Sequence, residues 1–210
     1  MSIRNTIRLL CLALLSCFLL SAHAATLTFE DIPLNGNPAP IGSGYGGFDW
    51  TFGTGIHGLN SAELGLSETG YGRGAVSGTH VAYNEGGGTE TRLRWLGDGG
   101  FDLMQAFWSS AFLPSGHTLT FYGRNDGVDV FSPVMLQISD AAPALQIFNW
   151  TGIDELVIFS STPSSQWVLD DFQYVASPLH AIPEPSIMLL LAMGMLLVLQ
   201  WSARTAKRPG

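Results

Sequence analysis

Short stretches of alternating apolar and polar residues run through positions 25–182, and no window of eleven or more residues there keeps an apolar face at helical spacing. Alternation places every second side chain on the same face of a strand. Thr26-Leu27-Thr28-Phe29-Glu30 puts Leu27 and Phe29 together, and Phe48-Asp49-Trp50-Thr51-Phe52 does the same with three aromatic rings. The pattern continues in His117–Tyr122, Val134–Ile138, Leu145–Phe148, Leu156–Phe159 and Trp167–Leu169, and Phe101–Phe112 reads as extended rather than helical. Between them stand turn sequences: Asn125-Asp126-Gly127, Ala142-Pro143, Thr151-Gly152 and Thr162-Pro163-Ser164-Ser165. Strands that recur this closely, separated by turns, predict an all-β fold, an antiparallel β-sandwich or jelly roll. Residues 32–47 and 53–78 break the pattern with Gly, Asn, Pro and Ser, densest at Ser43–Gly47 and Gly70–Gly74. They read as long connections at the sandwich edge, where binding loops lie.

The two ends have a different pattern. Arg4 and Arg8 precede an apolar run, Leu9–Leu20, and then Ser21-Ala22-His23-Ala24. A basic start, a core of this length and small residues at Ala22 and Ala24 describe a signal peptide, cut by signal peptidase between Ala24 and Ala25. Leu14-Leu15-Ser16-Cys17 offers a second reading, a lipoprotein box with Cys17 acylated. Cys11 and Cys17 are the only cysteines, so cleavage after Ala24 leaves a mature chain with no disulfide and no thiolate chemistry. At the other end Pro183-Glu184-Pro185 interrupts the chain before the uncharged run Ile187–Leu199, followed by Trp201, Arg204, Lys207 and Arg208. The prolines separate a transmembrane helix of about residues 183–201 from the domain, and the basic tail 202–210 places its end on the cytoplasmic side. The expected organisation is a signal peptide at 1–24, a β-sandwich domain at 25–178 and a C-terminal sorting segment at 179–210.

The order Pro183-Glu184-Pro185, apolar helix, basic end resembles the PEP-CTERM sorting signal of Gram-negative bacteria. That resemblance implies an exosortase substrate, anchored transiently in the inner membrane and then delivered to the envelope, cell surface or extracellular matrix. Ser202-Ala203 departs from the usual pattern by separating the apolar run from the first basic residue. The block Phe101–Tyr174, with Leu119-Thr120-Phe121-Tyr122-Gly123, Phe148-Asn149-Trp150-Thr151-Gly152 and Val168-Leu169-Asp170-Asp171-Phe172, is similar to luminal domains frequent among proteins with this tail. Those marks are core and turn residues, and they bear on fold rather than activity.

Charge narrows the partners. Residues 25–182 hold sixteen Asp or Glu against four Arg and no Lys, a formal charge of −12. Clustered cations are what nucleic-acid phosphates need, so nucleic acid is not expected as a partner. No Gly-x-Ser-x-Gly and no phosphate-cradling loop occurs, and the histidines lie in no nucleophile context, so the chain is not expected to be an enzyme. An envelope hydrolase would draw its acids from Glu63, Glu68, Glu85 and Glu90. Glu30 and Asp31 end the first strand while Asp170 and Asp171 lie in the last. Pairing of those strands would bring four carboxylates toward an oxygen cage for structural Ca²⁺, with solvated edge charges as the alternative. Tyr45, Trp50, Tyr71 and Trp95, with Tyr83 and Trp108 beside them, are the aromatic candidates for stacking on extracellular polysaccharide. The expected role is structural or adhesive, with a carbohydrate-binding module as the alternative and a hydrolase third.

Overall fold

A computed structural model describes residues 24–177 apart from residue 114. The expected signal peptide, except its last residue Ala24, and the Pro183-Glu184-Pro185 motif with the apolar segment after it lie outside the described residues. No helix among the described residues is long and apolar enough to cross a membrane.

Thirteen strands, numbered along the chain, form two antiparallel sheets among the described residues. Sheet A runs in the order β11 (Ala144–Ile153), β7 (Gly100–Ser110), β13 (Trp167–Ser177), β5 (His80–Asn84), β4 (Ile56–Asn60) and β2 (Ala39–Pro40). β1 (Ala24–Leu27) also pairs with β13. Sheet B runs β10 (Val134–Ile138), β8 (His117–Asn125), β12 (Glu155–Ser160), β6 (Glu90–Trp95) and β3 (Phe48–Asp49), with β9 (Val128–Asp129) folded back on β8. The architecture is the expected sandwich. Strand alternation works as the pattern requires in β8, where His117, Leu119, Phe121 and Gly123 are buried and the intervening side chains are half-exposed.

The core between the sheets is built of rings. Phe48 meets Trp95, Phe101, Phe172 and Tyr174 at centroid separations of 4.9–5.5 Å, all edge to face. Trp108 joins Phe121 at 4.8 Å and Trp167 at 5.3 Å farther along. Edge-to-face packing places the positive rim of one ring against the negative face of the next, beyond the gain from burial alone.

Sheet A carries a second, smaller core on its outer face. Leu59, Val81, Tyr83, Ala111 and Val168 are buried there beneath Tyr71, with Leu66 and Ala75 packed against them. Tyr71 comes from α1 (Gly70–Gly74), a short helix capped by the Thr69 hydroxyl, which accepts from the Tyr71 N–H at 3.3 Å. Gly70 is required here: a Cβ at that position would stand 1.6 Å from the Ser110 carbonyl oxygen. The glycine-rich stretch expected as an open edge loop is therefore a lid lying on the sheet. β4, β5 and β6 are also strands that the alternation did not single out, and Thr151-Gly152 lies within β11 rather than in a turn. Asn125-Asp126-Gly127 does turn the chain, with Asp126 at φ 50° and Gly127 at φ 76°. Those two positive φ values suit the tight hairpin between β8 and β9.

Candidate functional site

The outer face of sheet B carries no second hydrophobic cluster among the described residues. Its strand register sets three cross-strand rows: Arg94, Glu155 and Arg124; then Arg92, Val157 and Tyr122; then Glu90, Phe159 and Thr120. Successive rows lie two residues apart along each strand, or roughly 7 Å. Three of the four cationic side chains of residues 25–182 therefore gather on one face of an acidic domain.

Glu155 organises the first row. Its side chain is 7% exposed, and Arg94 Nη2, Arg124 Nη1 and Arg92 Nη1 approach its carboxylate at 3.3, 3.6 and 3.8 Å. A carboxylate this far from water is costly unless cations and donors replace its hydration. Two of the arginines are steadied from the side. Arg92 is bridged to Glu90, and its guanidinium lies over the Phe52 ring, 4.5 Å from the centroid. Arg124 Nε donates to Asp129 Oδ1 at 2.7 Å, and that hydrogen bond is the main reason the group titrates above the ordinary arginine range. Arg94 is different: its side chain is 62% exposed, and among the described residues its ion pair is the one to Glu155. A cavity of about 310 Å³ opens at this row, lined by Arg92, Arg94, Arg124, Gly127, Asp154 and Glu155.

The neighbouring rows supply apolar surface. Tyr122 and Phe159 are both half-exposed and pack edge to face at 5.6 Å. Phe52, 41% exposed, continues the aromatic surface toward Arg92. The face thus offers rings, fixed guanidinium donors and a nearly buried acceptor. Small-molecule sites combine apolar surface with a few oriented polar groups in this way.

The aromatic candidates read from the sequence lie elsewhere and are buried or largely so. Trp50 is fully buried and donates from Nε1 to the Tyr45 carbonyl at 2.8 Å. Tyr45 is half-buried between Phe29 and Trp50, and its hydroxyl donates to Asp31 Oδ1 at 2.7 Å. Burial, reinforced by that carboxylate, pushes the Tyr45 hydroxyl far above the ordinary phenol range. Tyr71 is buried under the lid with its hydroxyl on Gln166 Oε1 at 2.6 Å, and Trp95 is half-buried against Phe48, Phe101 and Tyr174. Trp108 and Tyr83 are likewise buried. Trp50, Tyr71, Tyr83 and Trp108 have no face left for a sugar, and Tyr45 and Trp95 are partly buried against the core. The reason is that glycine-rich loops fold their aromatics inward: Gly47, at φ 84°, lets the backbone pass so near Trp95 that a Cβ would come within 2.6 Å of the ring. Tyr122 and Phe159 were passed over because they stand in strands, yet alternation from Leu119 and Phe121 already points Tyr122 outward.

β1 pairs with β13, but it ends at Leu27, and Glu30 and Asp31 stand in the turn after it, where Phe29 takes φ 62°. β13 changes neighbours there, from β5 at Val168-Leu169 to β1 at Phe172–Val175, and its pairing with β7 shifts register just past Asp170. Asp170 Oδ2 accepts from the Val76 and Ser77 N–H groups, and Asp171 Oδ1 accepts from the Ser77 hydroxyl. Glu30 Oε1 accepts from Thr79 and His80 N–H at 2.7 and 2.6 Å. These carboxylates tie residues 76–80 across the junction between strands. The expected calcium cage is not gathered in this arrangement: among the described residues no three His, Cys, Asp or Glu side chains come together with metal-binding spacing. The acids considered for hydrolysis are each engaged separately: Glu63 by Asn37, Glu68 by Arg73, Glu85 by the Tyr83 hydroxyl and Glu90 by Arg92.

No family model matches the chain, and no curated protein matches it. In shape it is similar to several solved structures. The CBM22-1 xylan-binding domain from Paenibacillus barcinonensis Xyn10C aligns with TM-score 0.43 at 11% identity, covering 74% of this chain and 95% of that one. The K2 cleaved adhesin domain of Lys-gingipain aligns with TM-score 0.46 at 12% identity, covering 74% of this chain and all of that one. TmCBM61, solved in complex with β-1,4-galactotriose, aligns with TM-score 0.37 at 8% identity, covering 64% of this chain and 94% of that one.

Proposed function

We propose that this chain is an exported, exosortase-sorted protein of the cell surface or extracellular matrix whose β-sandwich is a non-catalytic carbohydrate-binding module. The observation that carries the binding reading is the open face of sheet B, where Tyr122, Phe159 and Phe52 adjoin the arginine-lined cavity. A pyranose has an apolar C–H face and a rim of hydroxyls. The rings take the face, and the guanidinium and carboxylate groups take the rim. The export reading rests on the two ends: the signal peptide with its Ala24/Ala25 junction, and the tail with Pro183-Glu184-Pro185, apolar run and basic end. The tail would hold the chain in the inner membrane until exosortase acts, and the sandwich would then hold the protein to polymer outside.

The test is binding of the purified full-length chain to an array of cell-wall, capsular and secreted polysaccharides. At least one glycan is expected to bind, and Tyr122→Ala and Phe159→Ala are expected to weaken it on the order of tenfold each, the loss of one stacked ring. Trp50→Phe, in the interior, is expected to leave the affinity unchanged. Binding that survives both ring deletions would remove sheet B as the site. A bare array would remove the carbohydrate reading altogether.

A further inference from the structure

We infer that the Arg94–Glu155–Arg124 row makes this face selective for acidic polysaccharide, with the carboxylate of a uronic acid residue as the group it takes. This rests on the carbohydrate reading above and specifies the ligand's charge. The inference begins with distribution. Residues 25–182 contain sixteen acids and four arginines, and a domain so composed repels polyanions unless its cations are concentrated. They are: three of the four lie on one face, and the cavity lining sets Arg92, Arg94 and Arg124 against two carboxylates, Asp154 and Glu155. Of those two, Asp154 Oδ2 is turned to the hairpin, accepting the Asp126 N–H at 2.9 Å, and Glu155 is nearly buried. Asp129 and Glu90 flank Arg124 and Arg92, and Arg94 is the cation of the lining most open to solvent. At physiological ionic strength charges more than about 8 Å away are largely screened, so a ligand anion at this row senses Arg94 and the groups beside it rather than the domain's overall charge.

Arg94 is the group placed to bind. Glu155 lies 3.3 Å from Arg94 Nη2, and the mostly exposed head keeps further N–H donors free on its solvent side. A guanidinium fork matches a carboxylate in a planar, two-bond arrangement that a hydroxyl cannot reproduce. Arg92 and Arg124 are matched by Glu90, Asp129 and Glu155, so they fix the row in place and leave Arg94 as the group with donors to spare. The spacing also suits a polymer. Tyr122 stands one row away from the Arg94 row, and Phe159 one row beyond that, at roughly 7 Å per step. Arg94 on β6 also lies two strands from Tyr122 on β8, at roughly 4.8 Å per strand, so a sugar ring on Tyr122 directs a neighbouring residue's C5 carboxylate toward Arg94.

The experiment compares the purified full-length chain on sodium polygalacturonate, alginate and hyaluronate, on the methyl ester of polygalacturonate, on neutral xylan and galactan, and on dextran sulfate. The expected result is binding to at least one uronate polymer, a loss of tenfold or more on esterification or with Arg94→Gln, partial recovery with Arg94→Lys, and weaker binding to dextran sulfate. Arg94 is mostly exposed, and circular dichroism is expected to show its variants folded. Equal affinity for neutral and acidic glycans, or an unaffected Arg94→Gln, overturns the uronate inference and leaves the carbohydrate reading standing. Dextran sulfate bound as tightly as the uronates shows unselective polyanion attraction and overturns it too. Binding to no glycan overturns both.

Discussion

The outer faces of the two sheets have opposite fates. Sheet A presents Leu59, Val81, Tyr83, Ala111 and Val168 outward, and α1 with its flanking segments lies over them. Sheet B presents rows of Glu, Arg and Thr with Val157 and two rings among them, and no second hydrophobic cluster lies over it among the described residues. An apolar face left in water forfeits its burial energy, so it recruits its own chain as cover. A charged face is solvated as it stands. The lid is therefore a matter of folding, and the charged face is the one on which the proposed binding rests, although glycine-rich loops, such as the one that forms the lid, are where ligand contacts are usually sought.

The largest expected effect separates the two faces directly. Tyr71→Ala removes a buried ring and its hydrogen bond to Gln166, and truncations of this kind cost about 3–5 kcal/mol. Tyr122→Ala removes a half-exposed ring from the open face and is expected to cost less than about 1 kcal/mol. Denaturant unfolding of the two variants measures this. Glycan binding is expected to show the reverse order, with Tyr122→Ala impaired and Tyr71→Ala, once folded, intact. Equal destabilisation by both would mean that the open face is as structural as the covered one.

Protonation gives the sheets a second, intermediate contrast. In sheet A burial pushes the Asp170 carboxyl up to about 7, against the lowering effect of the N–H groups of Ser77, Asp171 and Val76. Its folded value lies above its unfolded one. The associated stability is thus fully present below about pH 4 and is lost as pH rises through 7. The effect is of the order of 4 kcal/mol across that window. In sheet B, His117 is buried with neither ring nitrogen hydrogen-bonded among the described residues, and burial lowers its pKa below the ordinary 6.5. There the unfolded state takes up the proton first, so stability is present above pH 6.5 and falls as the medium is acidified. Melting curves from pH 8 to 4 test both. Relative to the parent chain, Asp170→Asn is expected to lose part of the gain in stability on acidification, and His117→Phe to enlarge it. Matching pH profiles for all three proteins would remove both assignments.

The same contrast explains what could be seen in the sequence. β8 and β10 were legible because their residues alternate between the core and a more exposed face, whereas β12 and the start of β13 are buried on both faces and showed as short apolar runs between turn sequences. β4 was not: both its faces are covered, so Ile56, Gly58 and Leu59 are all buried and the alternation disappears. β6 was hidden differently. Glu90, Arg92 and Arg94 look like loop charges until Thr91 and Leu93 are seen to point inward between them. The site failed to show for a related reason. Aromatics set among glycines look exposed and those in strands look buried, whereas here Trp50 and Tyr71 are interior and Tyr122 and Phe159 lie outward. Strand parity carried that information for Tyr122. What the sequence could not carry was the register that aligns Arg94, Glu155 and Arg124, since residues 94 and 124 meet only through β12.

The smallest expected effect concerns the lid's own outer surface. Glu68 and Arg73 form an ion pair at 3.3 Å across α1, with side chains 91% and 41% exposed. Exposed pairs of this kind are screened by water and salt and require two long side chains to be ordered, so they contribute less than about 1 kcal/mol. If the lid is held by its buried side, by Tyr71 and the close approach of Gly70 to Ser110, then Glu68→Gln changes the unfolding free energy by no more than about 0.5 kcal/mol, and added salt does not enlarge the difference. Proteolysis within residues 61–79 offers an independent reading, since it reports local opening of the lid. Glu68→Gln is expected to leave the cleavage rate unchanged, while Tyr71→Ala raises it. Faster cleavage with Glu68→Gln would show that the lid depends on its charged rim, and the two faces of the sandwich would then differ less than their packing indicates.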